Sequence, residues 1–191
     1  PEASFPQILK DLMTGIGNAR AYFETYDGDE SCIYMTGTSA GASLCVYLAA
    51  MLGSPELAEA FEIVPAKLYI RALGLVSGMY YTTKLDSIGI FLPSYIYGKQ
   101  WKKSSFYPYI DPENEAIIRH LPPSFLVTAY GDMLRNYSRQ YAEAMKRGGA
   151  ICHLEDFEAG KKLPHAFSTT FPEMPESRRA NERMVEFLLK H

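Results

Sequence analysis

Three residues far apart in the chain, Ser39, Asp132 and His165, are of the types that together make an activated nucleophile. A serine hydroxyl attacks a carbonyl poorly until an imidazole takes its proton, and a carboxylate fixes the imidazole tautomer and stabilises its charged form. The expected chemistry is acyl transfer to Ser39, with His165 as general base and then acid, and Asp132 orienting it. Ser39 is the centre of Gly37-Thr38-Ser39-Ala40-Gly41, between the apolar run Cys32-Ile33-Tyr34-Met35 and a helix-like run over residues 42–51. Strand, tight turn and helix in that order expose a serine on strained backbone at a sheet edge. They also place the Ala40 N–H at a helix N-terminus, ready for a developing oxyanion. A Gly-x-Ser-x-Gly pattern arises by chance in turns, so its weight comes from the flanking strand and helix. Side chains at Gly37 and Gly41 are expected to collide across the turn.

The elements around this turn must bring Asp132 and His165 to it. Residues 5–26 carry Ile8, Leu12, Ile16, Ala19 and Phe23 at helical spacing, and Asp27-Gly28-Asp29 supplies a stop. A short helix over residues 55–61 and a buried strand over residues 72–77 follow the serine segment. Residues 79–121 break the alternation. Rich in Tyr, Pro and Ser and without sustained period, they read as an inserted lid or cap, in competition with an ordinary packed loop. Its aromatic residues Tyr80, Tyr81, Tyr95 and Trp101 are candidates for shaping a substrate pocket. A third strand over residues 124–130 runs into Gly131-Asp132, and a helix over residues 136–147, with Asn136 as cap and Gly148-Gly149 as stop, comes next. A fourth strand over residues 150–157, a loop over residues 161–165 and a closing amphipathic helix over residues 177–190 complete the chain. The alternation calls for a mainly parallel sheet with helices on both faces, an α/β architecture. In such a sheet the strand C-termini share one edge, where Ser39, Asp132 and His165 converge.

Each residue has a plainer competing role: turn serine, helix-capping aspartate, loop histidine. The rival histidines His120, His153 and His191 fall before a Pro-Pro break, within a strand and at the terminus, and the reserve acids Asp86 and Asp156 do not directly follow a strand end.

The chain resembles the C-terminal part of an α/β-hydrolase of the hormone-sensitive-lipase-like esterase group. The matching residues are the Phe5-Pro6-Gln7 helix start with Asp11, the Gly37-Thr38-Ser39-Ala40-Gly41 elbow, Leu121-Pro122-Pro123, Gly131-Asp132-Met133-Leu134 and His165-Ala166-Phe167, in family order over nearly the whole chain. The resemblance implies a carboxylesterase acting on small-molecule esters of short or medium acyl chains, with no metal or cofactor. An amide-cleaving relative, such as an arylformamidase or peptidase, and a non-catalytic ligand-binding protein remain open. Thr38 stands where the group often has Asp, and Ala42 where it often has a third Gly. Nothing in residues 1–30 resembles the family's His-Gly-Gly oxyanion loop, so Ala40 alone accounts for that function. The fold implied has about eight strands and four are found, which would leave the serine strand as a bare edge. The expectation is a catalytic domain over residues 1–191 that lacks the N-terminal strands, completed by an upstream segment.

The 191 residues suit one domain, and 47% hydrophobic with 21% charged residues is ordinary for a globular protein. A net charge of -3 of mixed sign gives no basic stripe for nucleic acid, and no apolar run reaches the length of a membrane span. Cys32, Cys45 and Cys152 lie in apolar segments without close pairing, as expected of reduced core thiols in a cytoplasmic protein. The chain opens at Pro1, with no initiator Met.

Overall fold

The structure, a computed structural model, describes residues 2–158 and 162–191; Pro1 and Lys161, the start of the expected loop, lie outside them. The elements are α1 (Phe5–Tyr26), β1 (Tyr34–Thr38), α2 (Ala40–Gly53), α3 (Pro55–Ala60), β2 (Ala72–Val76), α4 (Ser87–Phe91), α5 (Pro93–Tyr97), two 3₁₀ turns (Trp101–Lys103 and Tyr107–Tyr109), α6 (Glu115–Ile118), β3 (Ser124–Ala129), α7 (Arg135–Arg147), β4 (Cys152–Phe157), α8 (Phe167–Thr170) and α9 (Pro175–Lys190).

The four strands form one sheet in the order β1-β2-β3-β4, every pair parallel. β2 and β3 are central and buried at every position. Alternate side chains serve two cores. Leu73, Leu75 and Leu126 pack with α1, α2 and α7 on one face, while Ala72, Val76, Phe125 and Val127 pack with Phe167 and with Ala180, Met184 and Leu188 of α9 on the other. Among the described residues β1 pairs with β2 alone. Thr38, Val76, Val127 and Glu155 are in register, and two bonds carry the ladder past the strand ends: Ser39 N–H donates to the Val76 carbonyl and Ser77 N–H to the Val127 carbonyl, each at 2.8 Å. β1 and β2 end at this level and β3 and β4 run two residues further, and these strand ends are the platform for the site.

Several sequence expectations need correction. The buried stripe of α1 is Phe5, Leu9 and Met13, while Leu12 is 39% exposed. Both sets have helical spacing, and the choice is made by α2, whose Tyr47 ring meets Phe5 edge-on at 5.2 Å. Asn136 does not cap α7; it lies within the helix, whose N-cap is Leu134. β1 starts at Tyr34, after Cys32 and Ile33, and Cys32 is exposed where a core thiol was expected.

Residues 79–121 fold as short helical pieces fastened to the body by aromatic rings. Tyr97 packs on Phe5 at 5.3 Å, Phe106 on Phe61 at 5.1 Å and Tyr80 on Tyr141 at 4.3 Å. The buried Tyr47 hydroxyl donates to the carbonyls of Tyr109 and Ile110, at 2.8 and 2.9 Å.

Candidate active site

Ser39 is the N-cap of α2 with φ 57° and ψ −118°, a backbone conformation that costs a non-glycine residue roughly 1–3 kcal/mol. The surroundings impose it: Ser39 N–H is held by Val76, and the Ser39 carbonyl accepts from Met79 N–H and Ala42 N–H, both at 3.1 Å. A Cβ on Gly37 would lie 2.4 Å from the Gly41 carbonyl oxygen, so glycine is required there. The expectation for Gly41 fails, because a Cβ on it would enter open space. Ala40 is the first residue of α2, and its N–H therefore has no acceptor within the helix.

Asp132 follows β3 and is buried, its side chain fully so. Oδ2 accepts from Thr128 Oγ1 at 2.9 Å, Oδ1 accepts from Leu134 N–H at 2.9 Å, and Oδ1 lies 2.7 Å from His165 Nδ1. Burial opposes the charged form, but the hydrogen bonds from His165, the Leu134 amide, Ser77 and Thr128 outweigh it and hold the carboxyl below its ordinary value of 3.8. An ionised carboxylate only accepts, so the ring must donate from Nδ1, which leaves the Nε2 lone pair for Ser39. Ser39 Oγ is 2.9 Å from His165 Nε2, across 126 residues of chain. The three residues picked from the sequence thus form one continuous relay.

The relay depends on the close approach of two loops. Gly131 pairs with Pro164 in an isolated parallel bridge, and a Cβ on Gly131 would lie 2.3 Å from the Leu163 carbonyl oxygen. The rival groups are engaged elsewhere. Asp86 caps α4 and accepts from the Tyr137 hydroxyl; Asp156 pairs with both ends of the Arg135 fork at 2.8 and 2.9 Å; His153 stacks on Phe125. Burial pushes the Cys45 and Cys152 thiols up to about 11, away from nucleophilic use near neutral pH. Among the described residues no three His, Cys, Asp or Glu side chains converge as a metal site requires, and no helix is long and apolar enough to cross a membrane.

A cavity of about 300 Å³ opens beside Ala40, walled by Phe5, Leu44, Met79, Tyr80, Tyr95 and Ile96 among others. Four hydroxyls along it are bonded within the protein: Ser43 donates to the Met79 carbonyl at 2.5 Å, Tyr47 to the two carbonyls above, and Thr82 and Tyr97 bond each other at 2.7 Å, while the buried Tyr80 hydroxyl has no hydrogen-bond partner among the described residues. Of the four aromatic candidates, Tyr80 and Tyr95 line this cavity. Tyr81 is buried with its hydroxyl on Glu113, and Trp101 packs between Tyr97 and Tyr107, neither in the cavity wall. Sequence reasoning missed Thr128 and Ser77, and it placed Gly131 beside Asp132 without its contact to Leu163. Their positions in or after the strands are readable, but their partners depend on a register that periodicity does not give.

A family model described as alpha/beta hydrolase fold matches residues 1–169. A probable isoprenylcysteine alpha-carbonyl methylesterase of Arabidopsis thaliana is 27% identical over 161 residues, 78% of this chain and 34% of that protein. The crystal structure of esterase B from Lactobacillus rhamnosis superposes with a TM-score of 0.84 at 18% identity, covering 98% of this chain and 62% of its own. An esterase of the bacterial hormone-sensitive lipase family does so at 0.70 and 20%, covering 100% and 62%. At these identities the structural likeness is one of fold. The chain spans about a third of the length of the curated relative and about three-fifths of the solved structures.

Proposed function

This chain belongs to the α/β-hydrolase fold family, and from that premise we propose that it is a serine carboxylesterase using Ser39, His165 and Asp132. The observation that carries the reading is the relay itself: Ser39 Oγ to His165 Nε2 at 2.9 Å and His165 Nδ1 to Asp132 at 2.7 Å, on an elbow held at a strained φ. Ser39 Oγ attacks the ester carbonyl as its proton passes to Nε2, and the carbonyl oxygen takes the negative charge beside the Ala40 N–H. Collapse of that adduct breaks the bond to the alcohol oxygen, which leaves with the proton from Nε2. Water, losing a proton to His165, then attacks the acyl-Ser39 ester and returns the hydroxyl.

The cavity beside Ala40 supports an apolar acyl group. At about 300 Å³ it lies at the small end of ligand pockets, roughly 300–1,000 Å³, which favours short to medium chains. Its wall is mostly apolar side chains, with most of its hydroxyls bonded within the protein, which offers little to a charged or sugar-like group. The Arabidopsis relative, a methylesterase by name, agrees with ester cleavage. A series of p-nitrophenyl esters from acetate to palmitate tests this. The expected result is highest kcat/KM at butyrate to octanoate, a fall of about tenfold or more at palmitate, roughly the discrimination a few poorly housed methylenes supply, and no turnover by Ser39→Ala. Folded protein that turns over no ester in the series would refute it.

A further inference from the structure

Ser77 is fully buried, immediately follows β2 and has φ 50°, a left-handed conformation that a serine adopts at a cost. Its backbone N–H continues the sheet to Val127, and its Oγ accepts from the Ala166 N–H at 3.1 Å. Ala166 directly follows His165 and is itself left-handed, with φ 58°. A hydroxyl both accepts and donates, and a buried one seldom leaves its proton unused. With the acceptor side taken by Ala166, the proton is available to the Asp132 carboxylate, and Ser77 is among the donors that keep that carboxyl ionised. One hydroxyl at a third strand end is therefore bonded to the loop of the candidate base and also favours the charged form of the candidate acid.

We propose that Ser77 is a positioning residue: its Oγ pins the backbone after His165 to β2 and thereby fixes the imidazole against Asp132. The inference rests on the triad reading above. The left-handed backbone serves this purpose, because an extended Ser77 would carry the chain away along β2. The His165 ring is bonded at both nitrogens, to Asp132 and Ser39, but its side chain is 27% exposed while that of Asp132 is fully buried, so packing alone fixes it less. The flanks of the loop are held by the Gly131–Pro164 bridge and by Leu163 and Phe167 in the second core. Ser77 supplies the polar attachment at the residue directly after His165, where the orientation of the ring is set.

The test pairs Ser77→Ala, which removes the hydroxyl, with Ser77→Gly, which removes it and also relieves the left-handed backbone. Three quantities are read on each folded protein: melting temperature, kcat and KM on p-nitrophenyl butyrate, and the low-field proton resonance of a ring Nδ1–H bonded to a carboxylate, assigned through His165→Ala. The expected result is a fall in kcat of about tenfold in both variants, the size of one hydrogen bond's contribution, with KM within about twofold. The low-field resonance broadens or disappears, and Ser77→Gly melts no lower than the parent. Reduced turnover in a variant that is no less stable is what a merely structural serine would not give. Ser77→Gly with kcat within about twofold of the parent and the resonance intact would overturn the proposal and leave the esterase reading standing. A parent that shows the resonance, loses it in both variants, and hydrolyses no ester would support the positioning role and refute the esterase reading. A parent without the resonance would overturn the positioning role directly.

Discussion

Gly131 and Leu163 lie so close that a single added carbon on the first would sit 2.3 Å from the carbonyl oxygen of the second. This contact joins the loop after β3, which carries Asp132, to the loop that carries His165. Gly131→Ala must push them apart or shift backbone, at roughly 1–3 kcal/mol for an overpacked site. We expect a lower urea midpoint together with a kcat reduced by more than about tenfold, because a small misplacement of a reacting group costs that much and more. A variant with unchanged kcat would show that the approach of the two loops is not what aligns the relay.

The two elbow glycines should behave oppositely. Gly37→Ala places its Cβ 2.4 Å from the Gly41 carbonyl oxygen and cannot be accommodated without breaking the turn. Gly41→Ala meets nothing and gains helix propensity, up to about 1 kcal/mol. Thermal melts of both should show a large loss for the first and none for the second. Equal losses would contradict the steric account.

Asp132 links the site to acid stability. Its carboxyl is held below 3.8 in the fold, so its contribution is complete above that value and disappears as pH falls through the lower folded one. In urea titrations Asp132→Asn should be less stable than the parent at pH 6, with the gap narrowing near pH 3. A gap of the same size at both pH values would mean that the carboxylate charge is not what the folded state favours.

Tyr47→Phe should loosen residues 79–121 without entering the relay. The hydroxyl donates to two carbonyls, and leaving them buried and unmet costs about 1–3 kcal/mol. The expected signature is faster proteolysis within residues 98–110 and a lower melting temperature, while reaction of Ser39 with a small fluorophosphonate keeps its rate. A slowed reaction would show that the Tyr47 hydroxyl, which lies along the cavity, also supports the reactivity of Ser39.

What the sequence made legible was local. Gly37, Ser39 and the runs on either side describe strand, turn and helix within twenty residues, and Asp132 and His165 stand where chains leave strands. The parallel alternation then brings them together, as the 2.9 and 2.7 Å contacts report. The misreadings came where a partner distant in sequence decides. Phe5-Leu9-Met13 and Ile8-Leu12-Ile16 are equally helical, and the ring of Tyr47 selects the first. Asn136 has capping chemistry, but the Asp132 carboxylate holds the Leu134 amide where the chain enters α7. Gly41 looked as constrained as Gly37 because both flank the serine, yet only Gly37 faces backbone. Tyr81 and Trp101 share composition with Tyr80 and Tyr95, and only the fold separates filler from cavity wall. Ser77 carries no motif; its role exists only through the register that places β2 between the serine and the acid.

The most direct test of the central claim is covalent labelling: the purified protein treated with a fluorophosphonate and digested for peptide mass spectrometry, alongside Ser39→Ala and His165→Ala. An adduct on Ser39, absent in Ser39→Ala and slowed by orders of magnitude in His165→Ala, is the result the relay predicts. Folded protein that stays unlabelled, or that is labelled equally well without His165, would contradict it.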